Sequence, residues 1–233
     1  MRVAITGAGG GIGSELARIA AGLGAALYLS DLEAPESLAA ALRDSGHDCS
    51  AAALDVTDRS AVEDWASACG KVDALVDCAA ICPFGNWRDE GFDDITEQVL
   101  KVNLTGPMNL TRVFMARMSE QGAGRIVLVG SLAGRIGGIL AAPHYVMTKG
   151  GIHSFIRWSA RQGAPHGVLV NGVAPGPVAT PMTAGADFDP ERVPLKRMAT
   201  TAEVAGPLAF FISPAAGYIS GAILDINGGV HFS

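Results

Sequence analysis

The stretch Thr6-Gly7-Ala8-Gly9-Gly10-Gly11-Ile12-Gly13, the glycine turn, joins a short apolar run to an amphipathic one. The preceding run, Arg2–Thr6, predicts a β-strand, and Ile12–Leu23 predicts a helix because its apolar residues recur on one face. The glycines fit the pattern T-G-x-x-x-G-x-G, whereas G-x-G-x-x-G is not met. Glycines so placed permit a tight turn and let a pyrophosphate approach the backbone and the helix N-terminus. This setting favours a phosphate-binding turn over a merely flexible glycine loop.

Short β-rich runs alternate with helical stretches along the whole chain. The predicted strands are Arg2–Thr6, Ala25–Ser30, Cys49–Leu54, Val72–Val76, Arg125–Gly130, Val168–Val173 and Ala222–Ile226. The predicted helices are Ile12–Leu23, Pro35–Asp44, Arg59–Cys69, Phe92–Ser119 with an interruption at Gly106-Pro107, Pro143–Gln162 and Ala202–Ile212. This alternation predicts one α/β domain over residues 1–233, a Rossmann-like, doubly wound parallel sheet of about seven strands with helices on both faces. The long irregular stretch at about 177–200 is expected to be a substrate loop.

Composition and charge exclude several classes of partner. Of the 233 residues, 17 are Lys or Arg and 23 are Asp or Glu, so the formal net charge is −6. That balance argues against nucleic acid or an anionic membrane as a main partner, because both bind clustered cations. The sequence contains no run of 18 uninterrupted apolar residues, so it predicts no membrane span. The four cysteines form no C-x-x-C pair, so we expect no metal site and reduced thiols in a cytoplasmic protein.

An acidic residue ends the second predicted strand. Asp31 lies 18 residues beyond Gly13, where a carboxylate accepts hydrogen bonds from the adenosine ribose hydroxyls and repels a 2′-phosphate. Gly10 rather than Arg or Lys stands inside the glycine turn, so no cation there attracts that phosphate. Both features favour NAD over NADP. The alternative is that Asp31 only caps the turn at Leu32-Glu33.

Tyr145 and Lys149 stand four residues apart, on one face of a predicted helix. A nearby ammonium favours the phenolate, so we predict that Lys149 lowers the pKa of Tyr145 toward the working pH. Ser131 directly follows an apolar strand and therefore lies at the carboxyl edge of the sheet, where ligands bind. The ordinary alternatives are a tyrosine packed beside a solvated lysine, and a turn or helix-cap serine.

Further motifs follow in one order along the chain. They are the glycine turn, Asp55-Val56, Asn103 in Lys-Val-Asn-Leu, Ser131, Tyr145-x-x-x-Lys149, Asn171 before Ala174-Pro175-Gly176, Thr180, and Asp225 in Leu-Asp-Ile-Asn-Gly-Gly. On these motifs the sequence resembles the short-chain dehydrogenase/reductase family, from Val3 to Gly229. The resemblance implies an oxidoreductase that transfers a hydride between NAD(H) and a secondary alcohol or ketone.

The resemblance also implies roles for individual residues. Tyr145 would be the general acid/base, Lys149 would lower its pKa and bind the nicotinamide ribose, and Ser131 would hold the substrate oxygen. Asn103 would keep a water in a proton relay toward Lys149, or else satisfy a kink in its helix. The implied cofactor contacts are Gly7, Gly11, Ile12, Gly13, Asp31, Leu32, Asp55, Val56, Ala79, Ala80, Tyr145, Lys149, Pro175, Gly176, Val178 and Thr180. Of these, Asp55 and Val56 would contact the adenine, and the last four would surround the nicotinamide.

Three segments, 81–87, 132–144 and 177–195, supply candidate substrate contacts. We select Leu140 and Met182 from them, beside Ser131 and Tyr145. The mixture of apolar and polar residues in these segments predicts that the substrate is a small or medium, largely apolar carbonyl compound. Two polar residues have open assignments: His144 is a pocket residue or a surface residue at the helix start, and Arg135 meets a substrate carboxylate or phosphate or is a solvated loop arginine.

Two other functions stay open. A 3-oxoacyl-thioester (acyl carrier protein) reductase is one, but Asp31 and the net charge of −6 count against it. A non-catalytic dinucleotide-sensing protein is the other, but it need not keep the four catalytic candidates together. The resemblance implies a homotetramer, or a homodimer, paired through the long helices near 103–119 and 145–162.

One segment departs from the family. After the fourth strand the family usually reads Asn-Asn-Ala-Gly, whereas this chain has Asp77-Cys78-Ala79-Ala80. Asp77 offers an acceptor, if ionised, in place of an amide. Ala80 narrows the backbone freedom where the cofactor passes, so we expect a lower NAD affinity than an Ala80→Gly variant would have.

Overall fold

A computed structural model describes residues 1–138, 141–185 and 187–233. Seven strands form one sheet in which all neighbouring pairs are parallel. They are β1 (Arg2–Thr6), β2 (Ala26–Asp31), β3 (Cys49–Ala53), β4 (Ala74–Asp77), β5 (Gly124–Val129), β6 (Val168–Pro175) and β7 (Ile223–Ile226), in the order 3-2-1-4-5-6-7. The predicted seven-stranded parallel sheet is confirmed, with strand limits shifted by a residue or two.

Eight α-helices connect and cover the strands in the described ranges. They are α1 (Gly11–Gly22), α2 (Glu36–Asp44), α3 (Arg59–Cys69), α4 (Phe92–Leu100), α5 (Gly106–Gln121), α6 (Ala133–Ile136), α7 (Pro143–Gly163) and α8 (Thr201–Ile212). Asp58 caps α3 by accepting the backbone N–H groups of Ser60 and Ala61. None of the helices described is long and apolar enough to cross a membrane.

The long predicted helix is interrupted in a different way from the one expected. Lys101–Thr105 forms a π-helical turn between α4 and α5, whereas Gly106-Pro107 simply begins α5. Pro107 stands in the first turn of α5 and has no backbone N–H to donate to the π turn before it. The π turn carries Asn103, whose side chain is buried.

Two hydrophobic layers cover the two faces of the sheet. Leu16 of α1 and Leu208 of α8 belong to one layer, and Phe114 of α5 and Ile156 of α7 belong to the other. All four side chains are fully buried, and each contributes roughly 1.5–3 kcal/mol of transfer free energy. Burial on both faces explains why the central strands are nearly continuous apolar runs.

The strand order reverses between β1 and β4. In a doubly wound sheet, ligands bind at the carboxyl ends of the strands where this reversal opens a crevice. The glycine turn leaves the end of β1, and residues 78–80 leave the end of β4. The fold therefore brings the two segments to the same crevice.

Candidate active site

The glycine turn packs tightly against its surroundings. Gly7 has a φ of +64°, a conformation that favours glycine, and a Cβ there would lie 2.6 Å from the backbone nitrogen of Ala79. A Cβ at Gly13 would overlap the carbonyl oxygen of Gly7 and lie 2.9 Å from its carbonyl carbon. Gly10 precedes α1 as its N-cap residue and offers no side-chain cap, so the helix N-terminus presents its backbone donors to the crevice. Such a terminus fits a pyrophosphate.

Asp31 connects β2 to the glycine turn. Its Oδ2 accepts the backbone N–H of Gly9 over 2.9 Å, and its Oδ1 accepts that of Leu32 over 2.8 Å. The carboxylate therefore caps the following turn, as the alternative interpretation proposed, and also lies beside the glycine turn. Both interpretations of Asp31 are compatible with this position.

Val56 packs against the start of α5, next to the π turn. Its side chain is buried, and a Cβ at Gly106 would lie 2.6 Å from its Cγ2. Asn109 of α5 donates to the carbonyl oxygens of Val56 and Thr57, each over 3.1 Å. Asn109 was not predicted from the sequence, although an amide within a buried helix face was a usable signal.

Asp77 at the end of β4 acts as an acceptor. It accepts the hydroxyl of Thr6 over 2.6 Å and the backbone N–H of Ala79 over 3.1 Å. Burial raises the pKa of Asp77, and the Thr6 hydrogen bond opposes this rise. The unusual Asp77-Cys78-Ala79-Ala80 segment is thus fixed to β1 directly beneath Gly7.

Ser131, Tyr145 and Lys149 come from two elements that meet at the carboxyl edge. Ser131 follows β5, and its Oγ accepts the backbone N–H of Ala133 over 3.1 Å. Lys149 Nζ donates to the carbonyl oxygen of Val129 over 2.9 Å and lies 5.5 Å from the centre of the Tyr145 ring. The structure therefore brings the predicted Ser, Tyr and Lys together.

The prediction that Lys149 lowers the pKa of Tyr145 is wrong for the protein alone. Burial raises the pKa of Tyr145 well above its ordinary value, and the Ser131 hydroxyl acts in the opposite direction. The Lys149 ammonium is bonded to the Val129 carbonyl instead of the phenol, and burial lowers its own pKa. The uncharged phenol is therefore the favoured form of Tyr145.

Asn103 connects the π turn to the crevice floor. Its side-chain amide accepts the backbone N–H of Ile81 and donates to the Ile81 carbonyl, each over 2.9 Å. It also donates to the Thr148 hydroxyl over 3.3 Å. Asn103 thereby positions the segment after β4 against α7, and the proton relay stays a prediction.

A cavity of about 190 Å³ opens beside Tyr145 and Ser131. Its described walls are mostly apolar and include Phe84, Leu132, Ile136, Ala141, Pro175, Pro177, Met182, Phe188, Val193, Met198 and Val230. The walls also contain Cys82, Thr183, Asp189 and Arg192. Met182 lies where predicted, whereas Leu140 lies outside the described residues. Asp189 and Arg192 form an ion pair of 3.6 Å with each other. A small, largely apolar molecule fits this lining.

The nicotinamide-side candidates lie between the cavity and the glycine turn. Pro175 and Gly176 line the cavity, and Val178 is buried beside them. A Cβ at Gly11 would lie 3.0 Å from the Thr180 methyl group, so the loop after β6 touches the glycine turn. In the part of the chain that the structure describes, no group of three His, Cys, Asp or Glu residues could hold a metal ion.

Two polar residues differ from their sequence assignments. His144 is neither at the surface nor among the described cavity residues; it is 1% exposed and stacks on Phe92, with 4.9 Å between ring centres. Arg135 is not a solvated loop residue, because it donates to Asp225 over 3.1 Å and to the Ile223 carbonyl over 3.0 Å. Partners distant in sequence hold both side chains.

Comparison with known proteins agrees with this geometry. Residues 7–231 match a family model described as enoyl-(acyl carrier protein) reductase. The chain is 38% identical to galactitol 2-dehydrogenase (L-tagatose-forming) from Cereibacter sphaeroides, over 97% of this chain and 93% of the relative. It is 36% identical to cis-4-hydroxycyclohexanecarboxylate dehydrogenase from Sinomonas cyclohexanicum, over 98% and 96% of the respective chains.

Solved structures with the same fold contain either dinucleotide. A 3-oxoacyl-[acyl-carrier protein] reductase from Brucella melitensis with bound NAD has a TM-score of 0.91 and 30% identity, covering 100% of this chain and 91% of that one. A putative NAD(P)-dependent gluconate 5-dehydrogenase from Beutenbergia cavernae with bound NADP has a TM-score of 0.91 and 32% identity, covering 98% and 96%.

Proposed function

The chain belongs to the short-chain dehydrogenase/reductase family, and from this premise we propose its reaction. The members similar to it are oxidoreductases acting on CH–OH groups. It transfers a hydride between NAD(H) and a compact, largely apolar secondary alcohol or ketone, with Tyr145 as general acid/base. The observation that carries the proposal is the meeting of Tyr145 and Ser131 at one apolar cavity beside the glycine turn.

The residues of the chain divide the proton chemistry among them. When bound, the dinucleotide supplies the acceptor or donor of the hydride. In the reducing direction the Tyr145 phenol gives its proton to a forming alkoxide, and in the oxidising direction the Tyr145 phenolate takes the proton of the alcohol, at the cavity wall. Ser131 Oγ donates a second hydrogen bond to the same substrate oxygen and orients it. Lys149, already held at the Val129 carbonyl, places a positive charge beside the Tyr145 ring.

The apolar lining discriminates among the substrates that relatives handle. A polyol such as galactitol would bury hydroxyl groups against carbon atoms and leave them without partners, which costs free energy. An acidic acyl carrier would meet a cavity whose one cation among the described lining residues, Arg192, is paired with Asp189. The lining therefore supports a neutral ring or short branched chain bearing one secondary alcohol.

A substrate panel tests this specificity. We expect kcat/KM for cyclohexanol to exceed that for galactitol by about 100-fold or more, because each unpaired buried hydroxyl costs about 1–3 kcal/mol. The measurement is the absorbance of reduced nicotinamide during alcohol oxidation, with acetoacetyl-CoA reduction as a third arm. Preference for the polyol would refute the apolar substrate, and preference for the thioester would establish the reductase alternative.

The proposed preference for NAD rests on Asp31. Its carboxylate lies beside Gly9 and repels a 2′-phosphate. Asp31→Asn keeps an acceptor oxygen but removes the charge, so we expect the ratio of kcat/KM for NADP to that for NAD to rise about tenfold or more. Initial rates with each dinucleotide measure this ratio.

Glu33→Gln is the matched control for Asp31→Asn. It removes one negative charge two residues further on, from an exposed side chain, and should leave the dinucleotide ratio unchanged. An equal change in both variants would show that general charge, rather than the Asp31 carboxylate, sets the preference. A wild-type enzyme that prefers NADP would contradict the assignment directly.

The proposed assembly is a homotetramer, or a homodimer. Large apolar side chains on the outer faces of α5 and α7 support it: Met108, Met147 and Trp158 are each more than half exposed. Apolar surface of this kind on two long helices is typical of a subunit interface. Light scattering of the purified protein measures the mass of the assembly.

A further inference from the structure

His153 lies on α7, four residues after Lys149 and eight after Tyr145. This spacing places the three side chains in a row along one helix face. His153 is 3% exposed, and the reaction as proposed above gives it no role. Its ring faces the end of β5, where Gly130 leads into Ser131.

The imidazole contacts the backbone that carries Ser131. The Ser131 N–H donates to His153 Nε2 over 3.4 Å, and among the described residues this amide has no other acceptor. A Cβ at Gly130 would overlap Nε2 and lie 2.7 Å from Cδ2 of the ring. Glycine at position 130 therefore lets the ring approach the backbone closely enough to accept this hydrogen bond.

The surroundings of His153 keep its ring uncharged. Burial lowers its pKa to about 4, and Arg135 of α6 with Arg157 and Lys149 of α7 act in the same direction. Asp225 of β7 acts in the opposite direction. Above about pH 5 the ring is therefore neutral, and with its proton on Nδ1 it has a free lone pair on Nε2.

We propose that His153 is a positioning residue, which holds the Ser131 backbone so that the Ser131 hydroxyl and the Tyr145 phenol reach one substrate oxygen. This inference rests on the proposed dehydrogenase function. Two hydrogen bonds fix Ser131: its backbone N–H donates to His153, and the Ser131 Oγ accepts the backbone N–H of Ala133. The row on α7 thus supplies the acid/base, the ammonium and the support of the serine from one rigid helix.

Two substitutions separate the hydrogen bond from the bulk of the ring. His153→Leu keeps a side chain of similar size but removes the acceptor, and we expect kcat/KM for the alcohol to fall about tenfold. The KM for the dinucleotide should change less than about twofold, because His153 supports the substrate side of the site. His153→Gln retains an acceptor oxygen and should restore about half of the activity. No loss in the Leu variant, or an equal loss in both, overturns the proposal.

A double-mutant cycle with Ser131→Ala tests whether His153 acts through the serine. In that background His153→Leu should have no further effect on kcat, because the hydroxyl to be positioned is absent. A merely structural role would lower kcat by the same factor in both backgrounds, which would refute the inference. Thermal unfolding of each variant shows whether it is folded.

An NMR measurement on the wild-type protein keeps this test independent of turnover. The imidazole ¹⁵N shifts should show a proton on Nδ1 and a bare Nε2 from about pH 5 to about pH 8. A proton on Nε2 would overturn the role of His153 as acceptor, whether or not any alcohol is oxidised. Absence of alcohol oxidation with a bare Nε2 would instead refute the proposed function.

Discussion

Tyr145→Phe is expected to lower kcat for secondary-alcohol oxidation by about 10³-fold, while the protein stays folded and binds the dinucleotide. General acid/base catalysis contributes about 10²–10⁴-fold, and the phenol is the one acid/base group proposed for this site. Phenylalanine keeps the ring and its packing and removes the oxygen alone. The measurement is the steady-state rate of nicotinamide reduction at saturating alcohol and dinucleotide.

Tyr28→Phe is the matched control for this substitution. Tyr28 lies in β2 and packs on the layer that contains Phe114, away from the cavity. Removal of its hydroxyl should leave kcat unchanged. Retention of most activity by Tyr145→Phe would exclude Tyr145 as the acid/base.

Gly13→Ala is expected to weaken dinucleotide binding by about 100-fold. A Cβ at this position overlaps the Gly7 carbonyl oxygen and lies 3.0 Å from Cα of Ala8, and neither is a flexible side chain. The first turn of α1 must therefore move away from the glycine turn, at a cost of about 3 kcal/mol. Titration of the protein fluorescence with NADH measures the Kd.

Gly22→Ala, in the same helix, is the control for Gly13→Ala. A Cβ there meets nothing within 4 Å, so NADH affinity should not change. Alanine in place of glycine in a helix should raise the free energy of unfolding by about 0.5–1 kcal/mol. Equal Kd values for the two variants would show that the glycine turn does not bind the dinucleotide.

Local sequence patterns were sufficient to predict the architecture and the proximity of Ser131, Tyr145 and Lys149. Short apolar runs such as Arg2–Thr6 alternate with helical stretches. This pattern identifies parallel strands, because buried strands of this class are continuously apolar. Tyr145 and Lys149 could be placed together because four residues make one helical turn. Ser131 could be placed near them because the carboxyl ends of parallel strands meet at one edge.

Properties that depend on distant neighbours could not be predicted in this way. The raised pKa of Tyr145 follows from the burial of its side chain, which no spacing rule contains. His144 is buried because Phe92, some fifty residues earlier, stacks on it. The support of Ser131 by His153 requires the exact approach of α7 to β5, and it had no signal in the sequence beyond a histidine on the Tyr145 face.

The most direct test of the proposed reaction compares wild type with Tyr145→Phe in one experiment. NADH binding is measured by fluorescence, and the oxidation of cyclohexanol with NAD is measured by absorbance, on the same two preparations. We predict equal NADH affinity for both proteins, turnover by the wild type, and a loss of about 10³-fold in the variant. Turnover by the variant at a rate close to that of the wild type would contradict the account, as would a wild type that binds NADH and oxidises no secondary alcohol.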